Sequence, residues 1–217
     1  MKEGWITTPI SAISLLLIII SYLFWDIPIT KYCKTVSPAL LKIAETVTIF
    51  GIATWYLVGS LIFYLFFLFI YKNTRYADRS LFVFLSLSII GIFITLLKWV
   101  AGRHRPIDLF NSGHFGFDFF GRAYELISFP SGHAQTAFTL ATALTLFYPR
   151  CGIPLFMMAA AVGVSRIILT SHYLSDVIAG AAIGIIGTRI IKYYFDRYQF
   201  NAAQKKNQRM ASETNAP

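Results

Sequence analysis

At 217 residues the chain has room for one domain and no separate soluble module. It is 56% hydrophobic and only 13% charged, about half the charge of an ordinary soluble domain, and its mean hydropathy is +0.61. That excludes a soluble enzyme, and the formal charge of +9 does not make a nucleic-acid binder, because the basic residues are scattered between apolar runs and form no continuous face.

A spanning helix needs roughly 20 apolar residues, and six stretches qualify: 6–25, 47–70, 80–101, 132–149, 152–170 and 173–194. The predicted class is all-α, a six-transmembrane-helix bundle. Lys2 followed by an apolar run has the outline of a signal peptide, but the run ends in "YLFWD" without a small-residue cleavage pattern, so it is read as a retained anchor. The membrane domain is assigned to 1–197, and the polar segment 198–217 is expected to be a disordered tail. Cys33 and Cys151 lie far apart and in no metal-ligand spacing.

With both ends on one side, that side collects Lys2, Lys72, Arg75, Arg79, Arg150, Arg189, Lys192, Arg197, Lys205, Lys206 and Arg209. The other side holds Lys31, Lys34, Lys42, Lys98, Arg103, Arg105, Arg122 and Arg166, together with His104, His114, His133 and His172. The positive-inside rule then puts both ends in the cytoplasm and the histidines outside.

Three stretches at the outer ends of spans 3 to 6 carry the chemistry. In "KWVAGRHRP", Lys98 is followed by Arg105 and Pro106; "PSGH" comprises Pro130, Ser131, Gly132 and His133; in "SRIILTSHYLSD", Ser165 and Arg166 precede His172 and Asp176. As a set these eleven-position patterns resemble the K-x6-RP, PSGH and SR-x5-H-x3-D signature of the type 2 phosphatidic-acid phosphatase superfamily, with no departure at a fixed position. The resemblance implies a helical bundle and a metal-independent membrane phosphatase without cofactor. It implies His172 as nucleophile, Asp176 as its orienting partner, His133 as general acid, and Lys98, Arg105, Arg166, Ser131 and Gly132 as a phosphate cradle.

The residue chemistry agrees. His172 and Asp176 are four apart and share a helix face; a carboxylate there can fix the imidazole tautomer and leave the other nitrogen free to attack phosphorus. Ser131 suits an N-cap, and the following helix start offers free N–H groups to an anion. His133 in that first turn can protonate the leaving oxygen and then activate water. Two arginines and a lysine beside hydrocarbon call for an anionic partner. Arg103 and His104, outside the fixed pattern, are read as neighbours that contact the headgroup or simply flank it.

A two-metal phosphatase would need several carboxylates, but the outer segments supply only Asp108, Asp118, Glu125 and Asp176, so activity is expected to survive a chelator. The loop between Pro106 and Pro130 holds six phenylalanines and a tyrosine and is read either as a lid or headgroup wall or as packing on the rim of the bundle. Its character, with "GRHRP" before it, resembles bacterial lipid A phosphatases; phosphatidylglycerophosphate and undecaprenyl pyrophosphate are the alternative substrates. The expected partners are the bilayer and a phosphorylated lipid in a bacterial inner membrane, with the site facing the periplasm or exterior. A transporter or channel for an anionic solute would also bury cations, and "GAAIGIIG" would give it close helix packing through Gly180 and Gly184, but it has no need for PSGH beside an oriented histidine. A soluble haloperoxidase shares the motif but not the spans.

Overall fold

The structure, a computed structural model, describes residues 4–121 and 123–214; Lys2 and Arg122, both used in the topology count, lie outside them. The architecture is all-helical. The first run forms α1 (Gly4–Ile20), a π-helical stretch (Ser21–Trp25) and α2 (Asp26–Cys33), and α3 (Pro38–Thr48) leads through a short 3-10 turn into α4 (Ala53–Leu65). Then come α5 (Thr74–Ala101), a short α6 (Pro106–Ser112), α7 (Gly132–Phe147), α8 (Gly152–Ile168) and α9 (Leu174–Thr214). Among the described residues there is no strand, only an isolated antiparallel bridge between Arg103 and Phe117.

Local chemistry marks the helix ends. Ser37 and Asn73 cap α3 and α5, accepting from the amides of Leu40 and Tyr76. Gly102 stops α5 in the left-handed conformation (φ 57°), its N–H bonded to the carbonyl of Lys98. A side chain there would be strained by φ and would also strike the backbone of Asp118, 2.8 Å from an added Cβ. The chain therefore turns sharply just past Lys98, and the loop folds back over the helix end.

Among the described residues, five helical stretches are long and apolar enough to cross a membrane: Ser11–Cys33, Pro38–Ile70, Thr74–Ala101, Pro149–Ile168 and Leu174–Asn201. Large apolar side chains such as Leu23, Trp55, Ile62, Phe69 and Ile92 face outward along them, which only a hydrocarbon solvent tolerates on this scale. α7, expected to run over 132–149, is shorter. Pro149 disfavours helix at the residue before it, and the helix ends at Phe147 after 16 residues, about 24 Å at 1.5 Å per residue.

α7 is instead the buried hub, packed on α5, α8 and α9. Ala134, Ala137, Ala141 and Ala143 let its neighbours close in, and on α9 the glycines foreseen for close packing do that work. A Cβ at Gly180 would sit 2.3 Å from the Ser131 carbonyl oxygen, and one at Gly184 would sit 2.8 Å from that of Gln135. This contact brings the start of α9 against the start of α7. At its other end α9 continues as helix through the polar segment to Thr214, so no break in helix marks the expected boundary at 197/198. Its Ala, Gln, Lys, Arg and Met residues favour helix and continue a turn already nucleated.

Candidate active site

The end of α5, the starts of α7 and α9 and the end of α8 bring the eight expected residues to one end of the bundle. Ser131 caps α7, its hydroxyl accepting from the Ala134 amide at 3.5 Å, and its own N–H donates to the Asp176 carbonyl at 2.9 Å. Gly132 begins the helix beside Lys98, whose Cε is 4.0 Å from where a Cβ would be. Half-buried His133 lays its ring over Gly51 at the start of α4.

Three cations surround this point. Lys98 Nζ donates to the carbonyls of Ile127 (2.8 Å) and Ser128 (3.4 Å). Arg105 donates to the carbonyls of Tyr124 (2.9 Å) and Ser171 (3.1 Å) and stacks on the Tyr124 ring at 4.2 Å. Arg166 donates to Thr48 Oγ1 at 2.8 Å, while its buried Nε has no partner. Each guanidinium feels the other's charge, and Lys98 feels both. None of the three forms an ion pair among the described residues; backbone carbonyls and one hydroxyl hold them instead.

His172 is buried in the turn between α8 and α9. Its Nδ1 lies 3.5 Å from Asp176 Oδ2 and makes no hydrogen bond, so the expected imidazole–carboxylate pair is a close approach, because that oxygen already accepts from Ser128 Oγ (2.6 Å) and the Tyr173 amide (2.9 Å). Burial outweighs Asp176 and, with Lys98 and Arg105, pushes the imidazole down to about 3. The ring is therefore neutral at physiological pH.

The other Asp176 oxygen leads to Arg103, for which the sequence left two readings open. Arg103 does not reach towards a headgroup. Its buried guanidinium donates to Asp176 Oδ1 (2.5 Å), Ser175 Oγ (2.6 Å) and Asp26 Oδ2 (2.6 Å). Asp26 in turn accepts from the amide and hydroxyl of Ser175. Aromatic rings wrap this ion, three of them from the Phe-rich loop: Tyr22, Phe115, Phe117, Phe129 and Tyr173 lie 4.7–5.9 Å from the guanidinium. That half of the loop packs inward, whereas Phe119, Phe120 and Tyr124 stay exposed. Asp26 had a legible signal: a carboxylate closing an apolar run of membrane length marks a functional position, here directly after the π-helical stretch.

Between α4, α5 and α7 a cleft of about 670 Å³ leads away from Lys98, Gly132 and His133, walled by Leu57, Leu87, Ile92 and other apolar residues. A polar end with cations and an apolar flank can take an amphiphilic anion.

The sequence profile of the family described as the PAP2 superfamily matches residues 79–200, a segment that contains all eleven signature positions. The chain belongs to the PAP2 superfamily. This PAP2 chain is 33% identical over 180 residues to a lipid A 1-phosphatase of Rhizobium johnstonii, covering 77% of this chain and 72% of the relative. Two crystal structures share the PAP2 fold. A transmembrane PAP2-type phosphatidylglycerolphosphate phosphatase from Bacillus subtilis aligns with a TM-score of 0.65 at 22% identity, over 88% of this chain and 96% of that one. Aquifex aeolicus LpxE aligns with a TM-score of 0.59 at 25% identity, over 78% and 95%. Asp26 lies outside the PAP2 profile match, so the buried ion cluster joins the family segment to the helices before it.

Proposed function

We propose that this protein is a membrane lipid phosphatase that hydrolyses a phosphate group through a phosphohistidine intermediate, with lipid A as the preferred substrate. The observation that carries the reading is the set of three cations without carboxylate partners, gathered around a neutral buried histidine at the polar end of an apolar cleft. A phosphate monoester supplies the missing charge, and the cleft receives the lipid attached to it. The named relatives that are lipid A 1-phosphatases favour that lipid.

In the proposed reaction Lys98, Arg105 and Arg166 bind the non-bridging phosphate oxygens, with the amides at the start of α7. The nitrogen of His172 turned away from Asp176 attacks phosphorus in line. An N–P bond forms as the P–O bond to the lipid breaks, and His133 gives its proton to the departing oxygen. Asp176 stabilises the positive charge growing on the ring. His133 then takes a proton from water, whose oxygen attacks phosphorus; the N–P bond breaks and inorganic phosphate leaves. No step passes through a metal ion. α7 serves as a sixth crossing despite its length, because protein surrounds it on several sides. The ends then lie in the cytoplasm and the site faces the periplasm or exterior of a bacterial inner membrane.

The test is release of inorganic phosphate by purified protein in detergent with EDTA present, from lipid A, phosphatidylglycerophosphate, phosphatidic acid and undecaprenyl pyrophosphate in parallel. Lipid A is expected to turn over fastest, and a folded His172→Gln variant should release nothing above background. Undiminished release by that variant overturns the mechanism. Failure on all four lipids would favour a channel or transporter for an anionic solute.

A further inference from the structure

A second group of ionisable side chains sits on the outer loop, apart from the phosphate cradle. His104, Asp108 and His114 can each offer one ligand atom, and these atoms all lie within 4.8 Å of one another. His104 Nδ1 already touches Asp108 Oδ2, and His114 Nδ1 is 3.7 Å from the same oxygen. Ligand atoms around a tetrahedral zinc-like ion at 2.0–2.1 Å lie roughly 3.3 Å from each other, so small rotations of these side chains would close a three-ligand site.

Two further observations point the same way. The other nitrogen of His104, Nε2, lies 3.1 Å from Asp118, the outer carboxylate that commonly fixes the tautomer and aim of a metal-binding imidazole. The backbone also preassembles the group. The His104 amide donates to the Gly116 carbonyl at 3.1 Å, the Asp118 amide donates to that of Gly102 at 2.8 Å, and Arg103 bridges Phe117. This short antiparallel pairing brings His114 and Asp118 back over His104, while Asp108 rises on the first turn of α6.

We infer that His104, Asp108 and His114 form a binding site for one zinc-class divalent cation, with solvent in the fourth position. Two imidazoles and one carboxylate suit such an ion better than calcium or magnesium, which take oxygen ligands. The ion would clip the loop on either side of Arg105, so it acts as a structural staple. Binding at this site does not depend on the proposed hydrolysis, and the hydrolysis does not pass through the ion.

Untagged full-length protein in detergent, stripped with EDTA and freed of it, should take up one equivalent of Zn2+ in equilibrium dialysis. His114 is 64% exposed, so His114→Ala should keep the parent's thermal transition yet bind Zn2+ at least tenfold more weakly, whereas His133→Ala should bind it like the parent. Absence of uptake by the parent, unchanged uptake by His114→Ala, or loss of uptake in His133→Ala instead would each overturn the site.

Discussion

A buried cation and a group of three others, one buried and two half-buried, lie near one another in this protein, and they are compensated in opposite ways. Arg103 is shared by two carboxylates and one serine hydroxyl and is ringed by aromatic faces. Lys98, Arg105 and Arg166 have no carboxylate among the described residues and rest on carbonyls and a threonine. The first cluster is complete and has the makings of a structural element. The second has no ion-paired carboxylate and feels Asp176 only at a distance, so a bound anion would relieve the repulsion that remains. Asp176 links them, holding Arg103 with one oxygen and lying beside His172 with the other.

The sharpest way to break this comparison is at the link. Asp176→Asn should lower kcat by about 10³- to 10⁴-fold, as loss of a histidine-orienting carboxylate does in a hydrolase triad, measured as phosphate release from lipid A. A loss of tenfold or less would separate the two clusters functionally. Next in size, Arg103→Met leaves Asp26 and Asp176 buried without their cation and should destabilise the fold by about 3–5 kcal/mol. A thermal-unfolding curve in detergent that barely moved would show that the cluster is not structural.

The cradle should respond with the opposite sign. Arg166→Gln removes one of three repelling charges, so its melting temperature is expected to hold or rise while kcat/KM falls by about 10²-fold or more. Inorganic phosphate or vanadate should stabilise the parent by about 2.7 kcal/mol at a hundred times its Kd, and Arg166→Gln much less at the same concentration. Equal anion stabilisation of the two proteins would mean that Arg166 does not face the ligand.

The last test concerns pH, and its effect disappears at neutral pH. His172 is held at about 3 in the folded protein and titrates near 6.5 when unfolded, so between those values the unfolded chain binds the extra proton. Its contribution therefore makes stability rise as pH increases from about 3 to 6.5. His172→Gln should flatten that part of the profile of melting temperature against pH. For the parent, kcat/KM should show no acid limb near 6.5 from this residue; a His172 ring that titrated near 6.5 by NMR would mean that it is more solvated than its burial implies.

Much of the site could be read from sequence because its residues cluster in short stretches at helix ends. Lys98 and Arg105 flank one turn, Ser131 to His133 make one helix start, and Arg166 to Asp176 span one helix-to-helix connection. The helical class and most of the apolar spans were equally plain. The boundaries of α7 were less so, since apolarity continues past the point where Pro149 ends the helix. The role of Arg103 stayed open because a basic residue between two members of a phosphate-binding pattern looks the same in sequence whether it faces a ligand or the interior.

What the sequence determined by itself was therefore local: a membrane chain, from its composition; helix starts and stops, from serine, asparagine, glycine and proline; and the gathering of the motif histidines and cations at helix ends, from the spacing of motifs along apolar runs. The tertiary structure alone decided which charge meets which. Arg103 finds Asp26 across 77 positions and Asp176 across 73, and Ser131 meets the Asp176 backbone because Gly180 and Gly184 let α9 press against α7. Periodicity fixes a residue's face on its own helix, but a buried ion pair depends on the rotation and approach of two helices, which only the packing of the whole bundle sets.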